Sequence, residues 1–460
     1  MPKVKTPFLV AAVCVTVLIL LMPAPEGLSH EGKVSLAIFA LCFILWTTGA
    51  LPLSVTSLLA IALLPLLGAM DAGQAFSLFG NRAVFFILGA FMLAAAMMSS
   101  GLSSRIALMF LRRFEGSPKR LLSGVVLSCA FMAMWMPAHA VAALTFPIVL
   151  EIASALKLEP RRSNYGKALF LSMAWGCVTG GVITLLGGAR NPLAIALLRE
   201  KYDLAISFTQ WIAIVFPIPL VLLVVVHFLV FKFFPPEIED VKPAREVIES
   251  KVAALGSMSG VEKKVLAVML GTIACWILLG ERAGLAVISI LGASALFVIR
   301  AIDWHDVERY VNWGVILMYG GAIALAAALE ITGAARWMVT SMLGAVELSP
   351  FTLVAFIAVV SIILTEAMSN AAVVALVLPI AFELGETVPG VSPLLMVFAV
   401  ALPAGLAYSL PIGTPPNAIA YSARYHRLRD SVKVGVLLNL TTLGVFLLVA
   451  KFYWTRLGLL

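Results

Sequence analysis

Thr365-Glu366-Ala367-Met368-Ser369-Asn370-Ala371 and, further along, Pro411-Ile412-Gly413-Thr414-Pro415-Pro416-Asn417 set polar and backbone-breaking residues inside two long apolar runs. Lipid offers no hydrogen bond to a freed carbonyl or amide, so an interrupted helix at membrane depth persists only where protein or a water-filled cavity satisfies it. Pro415-Pro416 enforces such an interruption, because proline lacks a donor and clashes with the preceding turn. Carbonyls freed at such a break are the ligands a hard cation takes. The half-helices that restart after the breaks present free amides and a positive dipole end, which favour an anion at the same depth.

Two residues of the first half carry further chemistry. Arg190 lies within an apolar run. A guanidinium at membrane depth costs at least about 2.5 kcal/mol on insertion scales, so it must face a cavity or a partner. Its fork suits bidentate binding of a carboxylate or sulfate. Two compatible readings stay open: direct contact with an anion, or an ion pair with Glu366, the nearest intramembrane acid. His139 follows the interruption at Pro137 and is either an anion contact that titrates near neutral pH or a packing residue. Ser369 and Asn370 have an ordinary alternative too, as polar glue between helices.

Composition fixes the setting. The chain is 62% hydrophobic and 12% charged, with repeated apolar runs long enough to cross the roughly 30 Å hydrocarbon core. This predicts an all-α polytopic membrane protein; a β-barrel would show short alternating segments instead. The net charge of +8 follows from Lys and Arg gathered in loops on one side of the membrane, and calls for no nucleic acid. Cys14, Cys42, Cys129, Cys177 and Cys275 lie in apolar segments without metal-ligand spacing and read as packing residues. Lys3 and Lys5 before an apolar run resemble a signal peptide, but a retained first span gives the more consistent topology.

Apolar segments fall near 7–23, 34–49, 51–69, 82–101, 119–155, 166–199, 207–233, 263–280, 283–300, 313–332, 350–386, 391–422 and 434–455. Runs 119–155 and 350–386 are too long for one span and break at Pro137 and at Ser369-Asn370, which predicts two re-entrant hairpins beside about 11 transmembrane helices. With hairpins that do not cross, most Lys and Arg fall inside, placing the N-terminus in the cytoplasm and the C-terminus outside. Segment 235–262, Pro-rich at its start and of mixed charge, reads as a solvated cytoplasmic connector.

Gly89 and Gly321, Gly101 and Gly333, and Pro147 and Pro379 are each 232 apart, and Asn191 and Asn417 are 226 apart. These echoes predict a first span and loop over 1–33, then repeats over 34–234 and 263–460 that run in opposite directions across the bilayer. Inverted repeats with broken helices at their interface are the architecture of alternating-access carriers.

At Thr365-Glu366, Ser369-Asn370, Pro379-Ile380 and Gly413-Thr414-Pro415-Pro416-Asn417 the chain resembles the divalent anion/sodium symporters, which carry dicarboxylates, citrate or sulfate. The resemblance runs from about residue 34 to 455. It implies an elevator-type carrier in the cell membrane, commonly a homodimer, with two Ser-Asn-Thr motifs at the hairpin tips sharing one anion and sodium beside each tip. It assigns the anion to Ser369, Asn370, Ala371, Gly413, Thr414, Pro415 and Asn417, with His139, Arg190 and Asn191 as first-half counterparts, and sodium to Thr365 and Asn370. The first half departs from the motif: Pro137-Ala138-His139 and Gly187-Gly188-Ala189-Arg190-Asn191 stand where the two motif segments belong, and Ala133 replaces the threonine.

The resulting expectation is a sodium-coupled carrier of a small di- or multivalent anion using one retained sodium site. The alternative is a sodium-independent exchanger with Arg190 as a fixed cation. An intramembrane enzyme has no HExxH, GxSxG or paired aspartates to support it. A non-transporting membrane sensor is the remaining reading of another class.

Overall fold

Caps written in the sequence set many of the helix boundaries. The computed structural model describes residues 6–343 and 348–459; Lys3 and Lys5 lie outside them. Described residues of the first half form α1 (Thr6–Leu21), α2 (His30–Thr48), α3 (Leu53–Leu66), α4 (Ala72–Ser77), α5 (Arg82–Ser99), α6 (Leu102–Arg112), α7 (Pro118–Ala133), α8 (Ala138–Ala155), α9 (Asn164–Gly180), α10 (Arg190–Tyr202), α11 (Phe208–Val215) and α12 (Pro217–Phe233). After α13 (Lys242–Ala254) come α14 (Gly260–Ala283), α15 (Leu285–Val298), α16 (Trp304–Tyr310), α17 (Trp313–Ile331), α18 (Ala334–Leu343), α19 (Pro350–Ala367), α20 (Asn370–Thr387), α21 (Pro393–Ala401), α22 (Pro415–Ser422) and α23 (Leu428–Val449). The described residues contain no strand.

Among the described residues, eight helical stretches are long and apolar enough to cross a membrane, or nine if α11 and α12, bent by 47°, form one span. Four shorter apolar helices, α1, α3, α15 and the stretch Pro393–Gly405, fill most of the remaining predicted spans. Three of the eight are α8, α19 and α20, which flank the breaks, so length alone does not separate a crossing helix from a hairpin arm.

The 232-residue echo extends to the caps. Asp71 and Asp303 cap α4 and α16 by accepting from the amides of Gln74 and Asp306. Ser117 and Ser349 cap α7 and α19 in the same way, each followed by proline at the first helical position. Gly101 and Gly333 take the left-handed φ of 83° and 69° that turns the chain into α6 and α18.

Packing repeats the echo across the halves. A Cβ on Gly89 would lie 2.7 Å from the backbone of Ser289, and a Cβ on Gly321 would lie 2.3 Å from the carbonyl of Ser57. Thus α5 closes on α15 and α17 on α3, backbone to backbone, and each contact joins one half to the other.

Segment 235–262, read from sequence as a solvated connector, carries a helix of its own. It contains α13, whose Ala244 and Ile248 are buried and which packs on α6 and α8. Lys251 pairs with Glu151 of α8 at 2.8 Å. Arg105 of α6 clamps its far end, reaching Glu262 at 2.6 Å and the carbonyls of Leu255 and Gly256 at 3.0 and 2.9 Å. Helix α14 starts at Gly260, inside the predicted connector.

Candidate functional site

The breaks fall where proline and the Ser-Asn pair put them. Helix α7 ends at Ala133 and α8 begins at Ala138, while α19 ends at Ala367 and α20 begins at Asn370. Two longer unwound stretches follow, 181–189 between α9 and α10 and 406–414 before α22.

Asn191 and Asn417 hold these stretches in shape. The Asn191 side-chain amide donates to the carbonyls of Gly181 and Thr184 at 3.3 and 2.7 Å, ten and seven residues back. The Asn417 amide donates to Ala407 and Leu410 at 3.1 and 3.3 Å, again ten and seven residues back. Both side-chain nitrogens of these two expected substrate-binding residues are therefore spent on backbone; both buried Oδ1 atoms have no hydrogen-bond partner among the described residues.

Around the second break, oxygens gather. Thr365 Oγ1 lies 2.6 Å from the carbonyl of Ala404 and 2.8 Å from the Asn370 side-chain amide. With its nitrogen inward, that amide donates to Gly413 O at 3.0 Å and Thr365 Oγ1 at 2.8 Å, and reaches Ala404 O at 3.3 Å. With its oxygen inward, Asn370 joins Thr365, Ala404 and Gly413 in a set of four oxygens. Such a set fits a hard monovalent cation in place of the amide protons.

At the first break the same backbone lacks those oxygens. The Ala138 amide donates to Gly187 O at 3.0 Å, and a Cβ on Gly187 would lie 2.4 Å from Ala133 O. Ala133 and Ala138 bring no side-chain oxygen to the positions that Thr365 and Asn370 occupy. The Thr184 hydroxyl instead donates to Met134 O.

Arg190 is 5% exposed at the start of α10, and its guanidinium makes no hydrogen bond or ion pair with any described residue; Nε and Nη2 are buried without a partner. The proposed pair with Glu366 is absent. The Glu366 carboxylate is bound by the amides of Tyr408, Ser409 and Leu410 at 3.0, 2.9 and 2.7 Å and by the Asn439 side chain at 2.6 Å. Three consecutive amides satisfy an anion better than one distant cation, which is why Glu366 belongs to the second unwound stretch. Glycines make room for Arg190: a Cβ would lie 2.1 Å from Nε at Gly405 and 2.3 Å from Nη1 at Gly188.

Arg190 thereby joins the two halves, and two buried tyrosines hold the backbone and helices around it. The Tyr319 hydroxyl donates to the carbonyl of Ala189. Tyr408, buried between the halves, accepts from Trp175 Nε1 through its carbonyl at 3.1 Å and shares a 2.8 Å hydrogen bond with Thr179 through its hydroxyl. Sequence reading passed over Tyr319, Tyr408, Ala404 and Asn439. Their signal was an unspent polar group inside an apolar run; a backbone carbonyl such as Ala404 O carries none.

The other predicted residues distribute around this centre. Ser369 and Thr414 lie at the starts of α20 and α22, and neither hydroxyl makes a hydrogen bond among the described residues. His139, half-buried in the first turn of α8, also makes none. Ala371 is buried in the first turn of α20, Gly413 packs against Thr365, and Pro415 opens α22. Each break meets the unwound stretch of its own half; Arg190, just after the first stretch, lies against Gly405, just before the second, and Tyr408 of the second stretch bonds to Trp175 and Thr179 of α9. Among the described residues no cluster of His, Cys, Asp or Glu forms a metal site.

Comparison with known proteins gives the family and the fold. The sequence profile of the sodium:sulfate symporter transmembrane region matches residues 3–460. A sodium-dependent dicarboxylate transporter, SdcS, of Staphylococcus saprophyticus is 32% identical over 95% of this chain and 89% of its own. SdcS of Staphylococcus aureus is 30% identical over 95% and 88%. Among solved structures, MtrF of Neisseria gonorrhoeae, from a class of antimetabolite efflux pumps, superposes with a TM-score of 0.56 at 13% identity, over 97% of this chain and 95% of its own. The YdaH transporter of Alcanivorax borkumensis gives 0.52 at 14%, over 98% of both, and at such identities the likeness is one of fold. The chain belongs to the sodium:sulfate symporter family of membrane transporters, the divalent anion/sodium symporters that its Ser-Asn and Gly-Thr-Pro-Pro-Asn segments resemble.

Proposed function

We propose that this chain is a secondary carrier of a small dianion, a dicarboxylate first among the candidates, and that the anion's charge is met by Arg190. The supporting observation is the buried guanidinium set between the two unwound stretches, without a hydrogen-bond partner among the described residues, while the Glu366 carboxylate is spent on backbone amides. Ser369, Thr414 and His139 supply unspent donors at the adjoining helix starts. Sodium enters at Thr365, Asn370, Ala404 and Gly413, and the Asn370 amide turns its oxygen inward when the ion arrives. The carrier works as an elevator in which the hairpins and broken helices move against α3, α5, α15 and α17. It assembles as a homodimer, with the N-terminus cytoplasmic and the C-terminus outside. The relatives named for sodium-dependent dicarboxylate transport support this choice of ion and substrate.

A second reading has its own observation. The first break lacks side-chain oxygens at residues 133 and 138, and Arg190 remains with the protein when substrate leaves. That favours exchange of one anion for another. Radiolabelled uptake of succinate, citrate and sulfate into proteoliposomes separates the two readings. Sodium-stimulated uptake into empty vesicles supports symport; uptake confined to anion-loaded vesicles and indifferent to sodium supports exchange; no uptake of any anion in either condition refutes both.

A further inference from the structure

Away from the breaks, a cleft of about 590 Å³ opens between α5, α14 and α15 on one side and α10 and α11 on the other. Three arginines line it: Arg82 at the start of α5, Arg199 in the last turn of α10 and Arg282 in the last turn of α14. None of the three guanidinium groups has a hydrogen bond or ion pair with any described residue. Glu281 lines the cleft beside Arg282, also without a partner, so the lining keeps a net positive charge. The nearby Glu200 carboxylate is engaged by Asn81 at 3.1 Å.

The arginines sit at helix ends, the level at which lipid head groups lie. The walls below them are apolar, formed by Phe86, Ile195, Ile206, Leu285 and Val287, and Val287 is 53% exposed on the outer face of α15. A cationic rim over an apolar wall is matched by a phosphate ester on a hydrocarbon chain, not by a small dianion, which would leave those walls wet. The cleft also reaches Leu185, within the unwound stretch, and Pro192, next to Asn191.

We propose that this cleft is a binding site for an anionic phospholipid, its phosphate on Arg82, Arg199 and Arg282 and an acyl chain along Phe86, Ile195, Leu285 and Val287. The lipid touches both α5 and the broken helix that begins at Arg190, so its occupancy stabilises their packing.

Thermal unfolding of the full chain in nanodiscs tests this, read by reaction of the buried thiols of Cys42, Cys129 and Cys177 with a fluorescent maleimide. Phosphatidylglycerol in place of phosphatidylcholine is expected to raise Tm by about 3 °C or more. The triple variant R82Q/R199Q/R282Q is expected to lose that rise while matching the parent in phosphatidylcholine; should it fold poorly, the single exposed change Arg282→Gln is expected to reduce the rise. An equal rise in parent and variants, or none in the parent, overturns the proposal. So does a matching rise from millimolar inorganic phosphate in phosphatidylcholine, which would make the ligand a dissolved oxyanion.

Discussion

Asn191 and Asn417 make the same pair of hydrogen bonds, each holding the carbonyls ten and seven residues before it. Replacing either by alanine strands two carbonyls in a buried stretch, at a cost of about 1–3 kcal/mol. Both variants are expected to lower Tm by similar amounts. A loss confined to one of them would end the equivalence.

Arg190 has no hydrogen-bond or ion-pair partner among the described residues, so its removal should leave folding nearly intact and act on the anion. Arg190→Gln is expected to weaken substrate affinity about 10- to 100-fold, the range for a charge-assisted hydrogen bond. Gly405→Ala should act in the same direction, because its Cβ would stand 2.1 Å from Nε and displace the guanidinium. Substrate-dependent thermal shifts measure both, and a Gln variant with parental affinity would take Arg190 out of the site.

Thr365→Val keeps the shape of the side chain and removes one of the four oxygens. It is expected to raise the sodium concentration for half-maximal uptake about tenfold or more, with a smaller effect on the anion in saturating sodium. Unchanged sodium dependence would argue that the cation sits elsewhere.

His426 lies in the loop before α23, 3% exposed, with Nδ1 unpartnered. Burial lowers its pKa from the ordinary 6.5 to about 4, against a smaller opposing pull from Asp430. The unfolded chain therefore binds a proton that the fold does not, so stability falls as pH drops from 6.5 to 4, by at most about 3 kcal/mol. His426→Gln should flatten this part of the pH–Tm curve; an equally steep curve would assign the acid sensitivity to other groups.

Gly89 and Gly321 admit no side chain. Alanine at either is expected to cost about 1–3 kcal/mol through overpacking against Ser289 or Ser57. At Gly444, where a Cβ meets nothing within 4 Å, the same change should be neutral or slightly stabilising.

The helix breaks were legible because proline, Ser-Asn and glycine announce themselves inside apolar runs. Helices α4, α6, α16 and α18 were passed over, being short or amphipathic rather than continuously apolar, although Asp71, Asp303, Gly101 and Gly333 mark their starts. Of the two readings open for Arg190, the pair with Glu366 is the one the fold does not form: sequence displays side chains as candidate partners for a charge, whereas the partners of Glu366 are mainly the amides of residues 408–410. Arg190 stands out in the sequence as a cation within an apolar run, yet only the fold places it against Gly405, more than two hundred residues away.

The contacts of Gly89 with Ser289 and of Gly321 with Ser57 bear on how the chain is made. A ribosome delivers α3 and α5 long before the surfaces that cover them exist. Until α15 and α17 enter the bilayer, two grooves lined by bare backbone must stay open to lipid or to the insertion machinery. The first half is thus an unfinished product when it leaves the ribosome, and synthesis of the second half completes both at once.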